Sequence, residues 1–162
     1  MKQLNSPWTQ TNAAIKIIQL GTTVLTGLIA GTVFGIWIGF NPENLSATAY
    51  VEQQQGTIGA LNVLMPILGL LSIALTFCYA YSVRNNTRSL YMLTISILFL
   101  IFSALVTRFG NQPLNAIVIT WSLDNIPDSW EQIRDQWWRF HVLRTISTLI
   151  SFTLIACVGI IR

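Results

Sequence analysis

Residues 15–40 read IKIIQLGTTVLTGLIAGTVFGIWIGF, and the single charged side chain in this run is Lys16, near its start. A membrane-spanning α-helix needs roughly 20 consecutive apolar residues, and this run is longer than that. The apolar core of a secretory signal peptide has about 7–15 residues, so the run is also too long for a signal peptide. It therefore predicts a retained transmembrane helix.

The composition of the whole chain supports the same class. Of the 162 residues, 52% are hydrophobic and 9% are charged, and the mean hydropathy is +0.57. So small a charged fraction cannot cover the surface of a soluble domain, and lipid must cover much of the exterior. The net charge of +3 is scattered, without the basic run that binds nucleic acid. We expect one membrane domain over 1–162, surrounded by a lipid bilayer, with no nucleic-acid partner.

Further apolar runs predict an all-α fold, a four-transmembrane-helix bundle. The predicted spans are about 15–40, 58–83, 89–107 and 142–161. Pro66 is expected to kink the second span. Between the third and fourth spans, 114–121 is a short apolar piece that is too short to cross the membrane. An interfacial amphipathic helix over about 128–141 is expected to run directly into the last span.

Charge predicts the orientation of the bundle. Four crossings put both termini and the polar turn 84–88 on one side. That side carries five basic residues and no acid: Lys2, Lys16, Arg84, Arg88 and Arg162. The other side carries all six acids and four arginines, of which Arg108 and Arg144 fall at membrane depth. Because Lys and Arg concentrate in cytoplasmic loops, we expect the N- and C-termini in the cytoplasm.

The first span carries four glycines at intervals of four residues: Gly27, Gly31, Gly35 and Gly39. Glycines four apart lie on one face of a helix and let another backbone approach closely. Three uses fit this face: packing inside the same bundle, a homo-oligomer or a partner membrane protein, and a ligand slot against bare backbone. The sequence leaves all three open.

The segment from Trp130 to Thr148 concentrates aromatic and polar side chains on one face of the predicted last helix. At about 100° per residue, one sector holds Trp130, Arg134, Trp137, His141, Arg144 and Thr148. Gln132, Asp135 and Arg139 point the other way. Interfacial anchoring also explains tryptophans and a snorkelling arginine, so the stripe by itself does not separate an anchor from a site.

Arg144 and His141 are the candidate functional side chains of this stripe. A charge at the depth of Arg144 is costly and is usually paired or functional. Arg144 therefore either pairs with a carboxylate, Glu52 or Asp124, or belongs to a substrate site. His141, the single histidine of the chain, is either a buried structural residue or a general base, because imidazole exchanges protons near neutral pH.

Two further observations bear on the kind of site. Asn115, which follows Pro113 and Leu114, either belongs to the start of a short helix or directs its carboxamide into the bundle, where it needs a partner. One histidine and dispersed acids do not make a zinc or copper site, so no metal ligands are predicted. A metal held by one His and one Glu is left open.

The order of these residues resembles a known family. Pro113, Asn115 and Trp121 precede a stretch of the form W…R-x-x-W…H-x-x-R-T. That stretch is formed by Trp130, Arg134, Trp137, His141, Arg144 and Thr145. The pattern is similar to the anthrone oxygenase-like family of small four-helix membrane proteins, over about residues 20–160. Most members have no assigned activity, and some are implicated in oxidising an anthrone to an anthraquinone with molecular oxygen.

The resemblance implies a membrane-embedded oxygenase or oxidase acting on a small apolar ligand, of which an anthrone-like aromatic compound is the example. His141 would remove a proton from the activated carbon, and Arg144 and Asn115 would stabilise the resulting enolate. The expected substrate-binding residues are Trp121, Trp137, Glu52 and Arg108. Molecular oxygen would be the co-substrate and no cofactor is predicted, because an electron-rich carbanion can react with oxygen directly; a metal is not excluded.

The alternative hypothesis is a non-catalytic membrane subunit. Its glycine face and aromatic stripe would bind a partner membrane protein or a lipid-like ligand, and Arg144 would only anchor the bundle through Glu52. A transporter is disfavoured because no inverted repeat is visible.

Overall fold

The computed structural model describes residues 7–161, with side chains described from residue 13 onward. Lys2 and Arg162, on which the predicted orientation partly depends, lie outside the described residues. The elements in chain order are α1 (Pro7–Gly39), a 3-10 turn (Pro42–Asn44), α2 (Ala47–Leu61), α3 (Leu64–Ser82), α4 (Thr87–Val106), a π-helical turn (Thr107–Asn111), α5 (Gln112–Val118) and α6 (Trp130–Ile161).

Within the described residues, four segments are long and apolar enough to cross a membrane: Ala13–Asn44, Leu64–Ser82, Thr87–Val118 and Trp130–Ile161. Large apolar side chains are exposed on all four, including Leu28, Leu70, Leu98 and Ile150. Lipid accommodates such a surface, and helices satisfy their own backbone hydrogen bonds there. The predicted all-α bundle of four membrane helices is confirmed, and the chain is a multi-pass membrane protein. The side on which the termini lie stays a prediction.

Each long helix packs mainly against two neighbours: α6 against α4 and α1, and α3 against the same two. A compact apolar core fills one end of this bundle; it includes Tyr79, Val83, Leu93, Ile97, Ile155 and Val158. Buried hydroxyl pairs also join the helices, such as Thr26 with Ser72 at 2.7 Å and Ser96 with Ser151 at 2.7 Å. Hydroxyl pairs of this kind hold membrane helices together where water is absent.

The predicted second span, 58–83, is interrupted. Residues 58–61 end α2, and α3 begins only at Leu64. A proline has no N–H for the carbonyl four residues earlier, and its ring crowds that carbonyl, which for Pro66 belongs to Asn62. The expected kink at Pro66 is therefore a break at Asn62 and Val63.

The predicted third span, 89–107, and the apolar piece 114–121 are parts of one segment, Thr87–Val118. A π-helical turn joins them, in which the Gln112 N–H donates to the carbonyl of Thr107. The turn immediately precedes Pro113, which cannot donate to the carbonyl of Phe109, and the wider π spacing accommodates that loss. This corrects the expectation of a separate short piece after the third span.

The glycine face of α1 is used inside the bundle at one position. A Cβ placed on Gly27 would lie 3.1 Å from the Phe152 ring on α6, so this close approach favours glycine. Nothing in the described structure lies within 4 Å of a Cβ placed on Gly31, Gly35 or Gly39. Association of those three glycines with another chain stays a prediction.

Candidate active site

Helix α6 turns the predicted stripe into the bundle. The helix runs unbroken from Trp130 to Ile161, so the helical period assumed for the stripe holds along its length. The buried members are Arg134, Trp137, His141 and Thr148. Gln132 and Arg139, which were expected to point the other way, are exposed. The predicted helix over 128–141 thus begins at Trp130 and continues into the last span as expected.

His141 and Arg144 form a hydrogen-bonded pair in the interior. The Arg144 guanidinium donates to His141 Nδ1 from Nη2 at 2.9 Å and from Nε at 3.3 Å. On the other side of the ring, His141 Nε2 lies 3.1 Å from the carbonyl oxygen of Val33 on α1. A guanidinium only donates and a carbonyl only accepts, so the pattern fits the neutral tautomer with its proton on Nε2.

Aromatic rings fix the plane of this imidazole. The Trp137 ring stacks on His141 with centroids 5.0 Å apart and planes 6° apart. The Trp138 ring lies 5.5 Å away at 14°. With both ring nitrogens engaged and two indole rings against it, His141 is held in one orientation and has no exposed surface.

A network of carboxamides surrounds the indole of Trp137. Trp137 Nε1 donates to Asn115 Oδ1 at 2.8 Å, and Gln54 Nε2 donates to the same oxygen at 3.4 Å. Asn115 Nδ2 in turn donates to Asn62 Oδ1 at 2.8 Å. The network joins α2, the break before α3, α5 and α6, and it shows that Asn115 directs its carboxamide into the bundle.

Two adjoining cavities lie beside this network. The larger, of about 280 Å³, lies between α1, α3, α4 and α6 and is mostly apolar, with Ile29, Leu70 and Leu100 in its walls. The smaller, of about 30 Å³, is a polar chamber whose walls include Gln54, Asn62, Asn111, Asn115 and Trp137. Arg144 belongs to the walls of both, as do Val33, Met65, Pro66 and Thr107.

Of the other predicted site residues, Arg108 lines a cavity, whereas Trp121 and His141 do not. Arg108 is exposed and lines the larger cavity. Trp121 is half-buried and lines neither cavity; its backbone carbonyl accepts a hydrogen bond from Gln55 at 2.9 Å. His141 lines neither cavity and lies behind Arg144.

The expected ion pair between Glu52 and Arg144 is not formed. Helix α2 buries Tyr50, Gln54 and Ile58, one every four residues, and this turns Glu52 outward, where it is exposed. Among the described residues, the ion pairs involve Arg134, with Asp135 at 2.8 Å and Glu131 at 4.0 Å. Arg144 therefore has no carboxylate partner in the described structure.

The N-terminal end of α6 is tied to α2 by aromatic contacts. Arg134 lies over the Trp130 ring at 4.7 Å, and that ring packs against Tyr50 at 5.8 Å. Burial raises the pKa of Tyr50 well above its ordinary value, so its hydroxyl stays protonated. Trp130 and Arg134 thus have structural roles at the end of the bundle.

Sequence reasoning missed Asn62, Asn111 and Val33. Asn62 and Asn111 are amides inside apolar segments, and they lie four and two residues before a proline. That combination is the sequence signal that could have identified them. Val33 contributes only its backbone carbonyl, so its identity carries no signal.

Across the described part of the chain, no three His, Cys, Asp or Glu side chains come together as potential ligands.

The comparisons with known proteins point to one family. The family model described as anthrone oxygenase matches residues 56–154, more than half of the chain. That range holds Asn115, Trp137, His141 and Arg144, whereas Val33 and Gln54 lie before it. No curated protein matches the chain, and no solved structure matches it.

Proposed function

The chain belongs to the anthrone oxygenase family, and from this premise we propose that it is a membrane-embedded oxygenase or oxidase acting on a small apolar substrate with molecular oxygen. The range that matches the family contains the paired His141 and Arg144 and most of the cavity walls. Family membership alone does not fix the reaction, which depends on the residues of the site.

The observation that carries the proposal is the environment of Arg144. It is a cation in a membrane-spanning segment, it has no carboxylate partner among the described residues, and it lines both cavities. An unpaired charge at such a position is costly and typically marks a site for a ligand. A ligand that develops negative charge on an oxygen would supply the missing partner.

The larger cavity supports an apolar ligand that arrives from the bilayer. Its volume of about 280 Å³ is near the lower end for small-molecule sites. Leu70 and Leu105 belong to its wall and are also exposed on the outside of α3 and α4. A molecule dissolved in lipid would therefore reach the cavity between these two helices, and exposed Arg108 lies in the same wall.

The chemistry would start from a ketone with an acidic neighbouring carbon. Arg144 would donate to the ketone oxygen and stabilise the enolate that forms when the carbon loses a proton. The enolate would then react with oxygen at carbon. In the complete reaction a methylene group loses two hydrogens and gains one oxygen atom, and the second oxygen atom leaves as water.

His141 would take the proton only after an exchange of partners. Its Nδ1 is occupied by two N–H groups of Arg144. If the guanidinium turns toward the substrate oxygen, Nδ1 becomes free to accept a proton from the adjacent carbon. Asn115 already donates to Asn62 and accepts from Trp137, so its part would be to hold the wall beside the substrate.

The test is oxygen uptake by the purified protein in detergent, with anthrone as substrate. We expect uptake above the spontaneous rate, reduced by roughly a hundredfold or more in Arg144→Gln, because the enolate loses its main charge partner. Arg139→Gln is the matched control, since Arg139 is exposed on the opposite face of the same helix; it should keep the wild-type rate.

Equal rates in Arg144→Gln and wild type would contradict the role of Arg144. No uptake above the spontaneous rate, in a protein that is folded, would favour another substrate or the non-catalytic subunit.

A further inference from the structure

Asn111 is a buried amide that the proposed chemistry does not use. It is 1% exposed, and its Nδ2 donates to the carbonyl oxygen of Trp137 at 3.1 Å. Its Oδ1 has no hydrogen-bond partner in the described structure. Because Nδ2 is held by Trp137, Oδ1 is turned to the other side of the amide. A buried acceptor left without a donor is unfavourable, and in a native protein it calls for a donor.

The surroundings of Asn111 narrow what that donor could be. Asn111 lines the polar chamber, in which Gln54, Asn62 and Asn115 are hydrogen-bonded to one another. Arg144, in the same walls, donates from Nε and Nη2 to His141, and its Nη1 has no hydrogen-bond partner among the described residues. The guanidinium of Arg144 can donate to a ketone oxygen, whereas Asn111 Oδ1 can only accept a hydrogen bond. The walls of the chamber thus carry one acceptor without a partner, Asn111 Oδ1, and one donor group without a partner, Arg144 Nη1.

The backbone around Asn111 is shaped to hold it in this place. Asn111 ends the π-helical turn, an arrangement that is rare and is frequent at functional sites. The preceding Gly110 lies against α6 so closely that a Cβ there would be 2.7 Å from the Phe140 ring. The turn is therefore fixed against α6, and Asn111 is fixed with it.

We propose that Asn111 is a recognition residue whose Oδ1 accepts a hydrogen bond from a hydroxyl group of the bound aromatic molecule. This inference rests on the proposed function, which supplies an aromatic body in the larger cavity. The chamber volume of about 30 Å³ matches roughly one water molecule, so the chamber takes a hydroxyl group but not a ring. Arg144 and Thr107 lie in the walls of both cavities. In this proposal the ring of the molecule lies in the larger cavity and its hydroxyl group enters the chamber.

The test compares two probes that share one ring system, 1-naphthol and naphthalene. Each is titrated into the purified full chain in detergent, binding is followed by quenching of tryptophan fluorescence, and empty micelles correct for partition. Wild type should bind 1-naphthol roughly three- to tenfold more tightly, which is the effect of one net hydrogen bond. In Asn111→Leu, of similar size but without an acceptor, that preference should disappear while naphthalene affinity is kept.

Asn125→Leu is the matched control, because it makes the same substitution away from the site. Asn125 is exposed in the loop before α6 and lines neither cavity; its variant should keep the preference. Asn111→Ala replaces Asn111→Leu if thermal unfolding shows that the leucine variant does not fold.

Several outcomes would overturn the inference. If wild type binds 1-naphthol no more tightly than naphthalene, or binds neither, the chamber holds water only. A preference for 1-naphthol that survives in Asn111→Leu, or that is also lost in Asn125→Leu, would mean that the hydroxyl contact is not made by Asn111. If Asn111→Leu loses the preference for 1-naphthol but the wild type shows no oxygen uptake with anthrone, the proposed reaction is wrong and the binding role of Asn111 is supported.

Discussion

At the scale of single residues, the pairing of His141 with Arg144 allows two roles for the imidazole. As a base, His141 would accept the substrate proton on Nδ1. As a positioning residue, it would only hold the guanidinium, which it contacts at 2.9 Å and 3.3 Å. Both roles need an acceptor at this place, but only the first needs a group that can carry a proton.

Variants of His141 separate the two roles. We expect His141→Gln, which keeps an acceptor but is not basic, to lower kcat for oxygen uptake by about 10²–10⁴, as does His141→Ala. His141→Ala should also unfold at a lower temperature, because it leaves the half-buried Arg144 guanidinium without its hydrogen-bond partner. The measurements are kcat and KM with anthrone and the unfolding temperature in detergent. Near-normal kcat in His141→Gln together with loss in His141→Ala would assign His141 a positioning role.

At the scale of elements, two prolines shape the same part of the bundle. Pro66 breaks the helix at Asn62, and Pro113 follows the π-helical turn that ends at Asn111. Both asparagines line the polar chamber. Irregular backbone is tolerated at membrane depth where it is buried in protein or lines a cavity, and both irregularities meet that condition.

The close contact between the π-helical turn and α6 makes Gly110 hard to replace. In Gly110→Ala the new Cβ would lie 2.7 Å from Cγ and 2.9 Å from both Cδ atoms of the Phe140 ring. Overpacking of this kind costs about 1–3 kcal/mol, so the variant should unfold at a lower temperature. Gly31→Ala is the control, because a Cβ there meets nothing within 4 Å; its unfolding temperature should not fall. Equal unfolding temperatures for the two variants would mean that the turn is not held against α6.

At the scale of the whole molecule, the bundle is packed at one end and hollow toward the other. The apolar core around Tyr79, Leu93 and Ile155 fills the end with the 84–88 turn. The cavities lie toward the end where α2, α5 and the start of α6 meet. A protein that only needed to span the membrane could pack both ends, so the hollow end is the part available to a ligand.

Filling the larger cavity should block ligand binding without unfolding the protein. Gly69 lines that cavity, and a Cβ there meets nothing within 4 Å, so Gly69→Leu adds volume where space exists. We expect the KM for anthrone, or the dissociation constant for naphthalene, to rise about tenfold, with an unchanged unfolding temperature. Gly59→Leu, at another open and exposed glycine, should change neither. Unaltered affinity in Gly69→Leu would mean that the ligand binds elsewhere.

The amino-acid sequence alone determined the class of the protein and the direction of its most informative helix. Apolar runs of sufficient length specify membrane helices, because a bilayer has a fixed thickness. The 3.6-residue period specifies which side chains share a face, and α6 buries Arg134, Trp137 and His141 as that period predicts. Both properties are local, so neighbouring residues suffice to predict them.

The tertiary structure decided which residues meet in the site. Pairing of Arg144 with Glu52 was one of the alternatives that the sequence left open, but the packing of α2 turns Glu52 outward. Among the described residues, the Arg144 guanidinium is hydrogen-bonded to His141 instead. The chamber joins Gln54, Asn62 and Asn111 from three elements, and the acceptor for His141 is a backbone carbonyl of α1. Such contacts depend on how each helix is rotated and where prolines interrupt it, and those are set by the packing of the whole bundle rather than by any one segment.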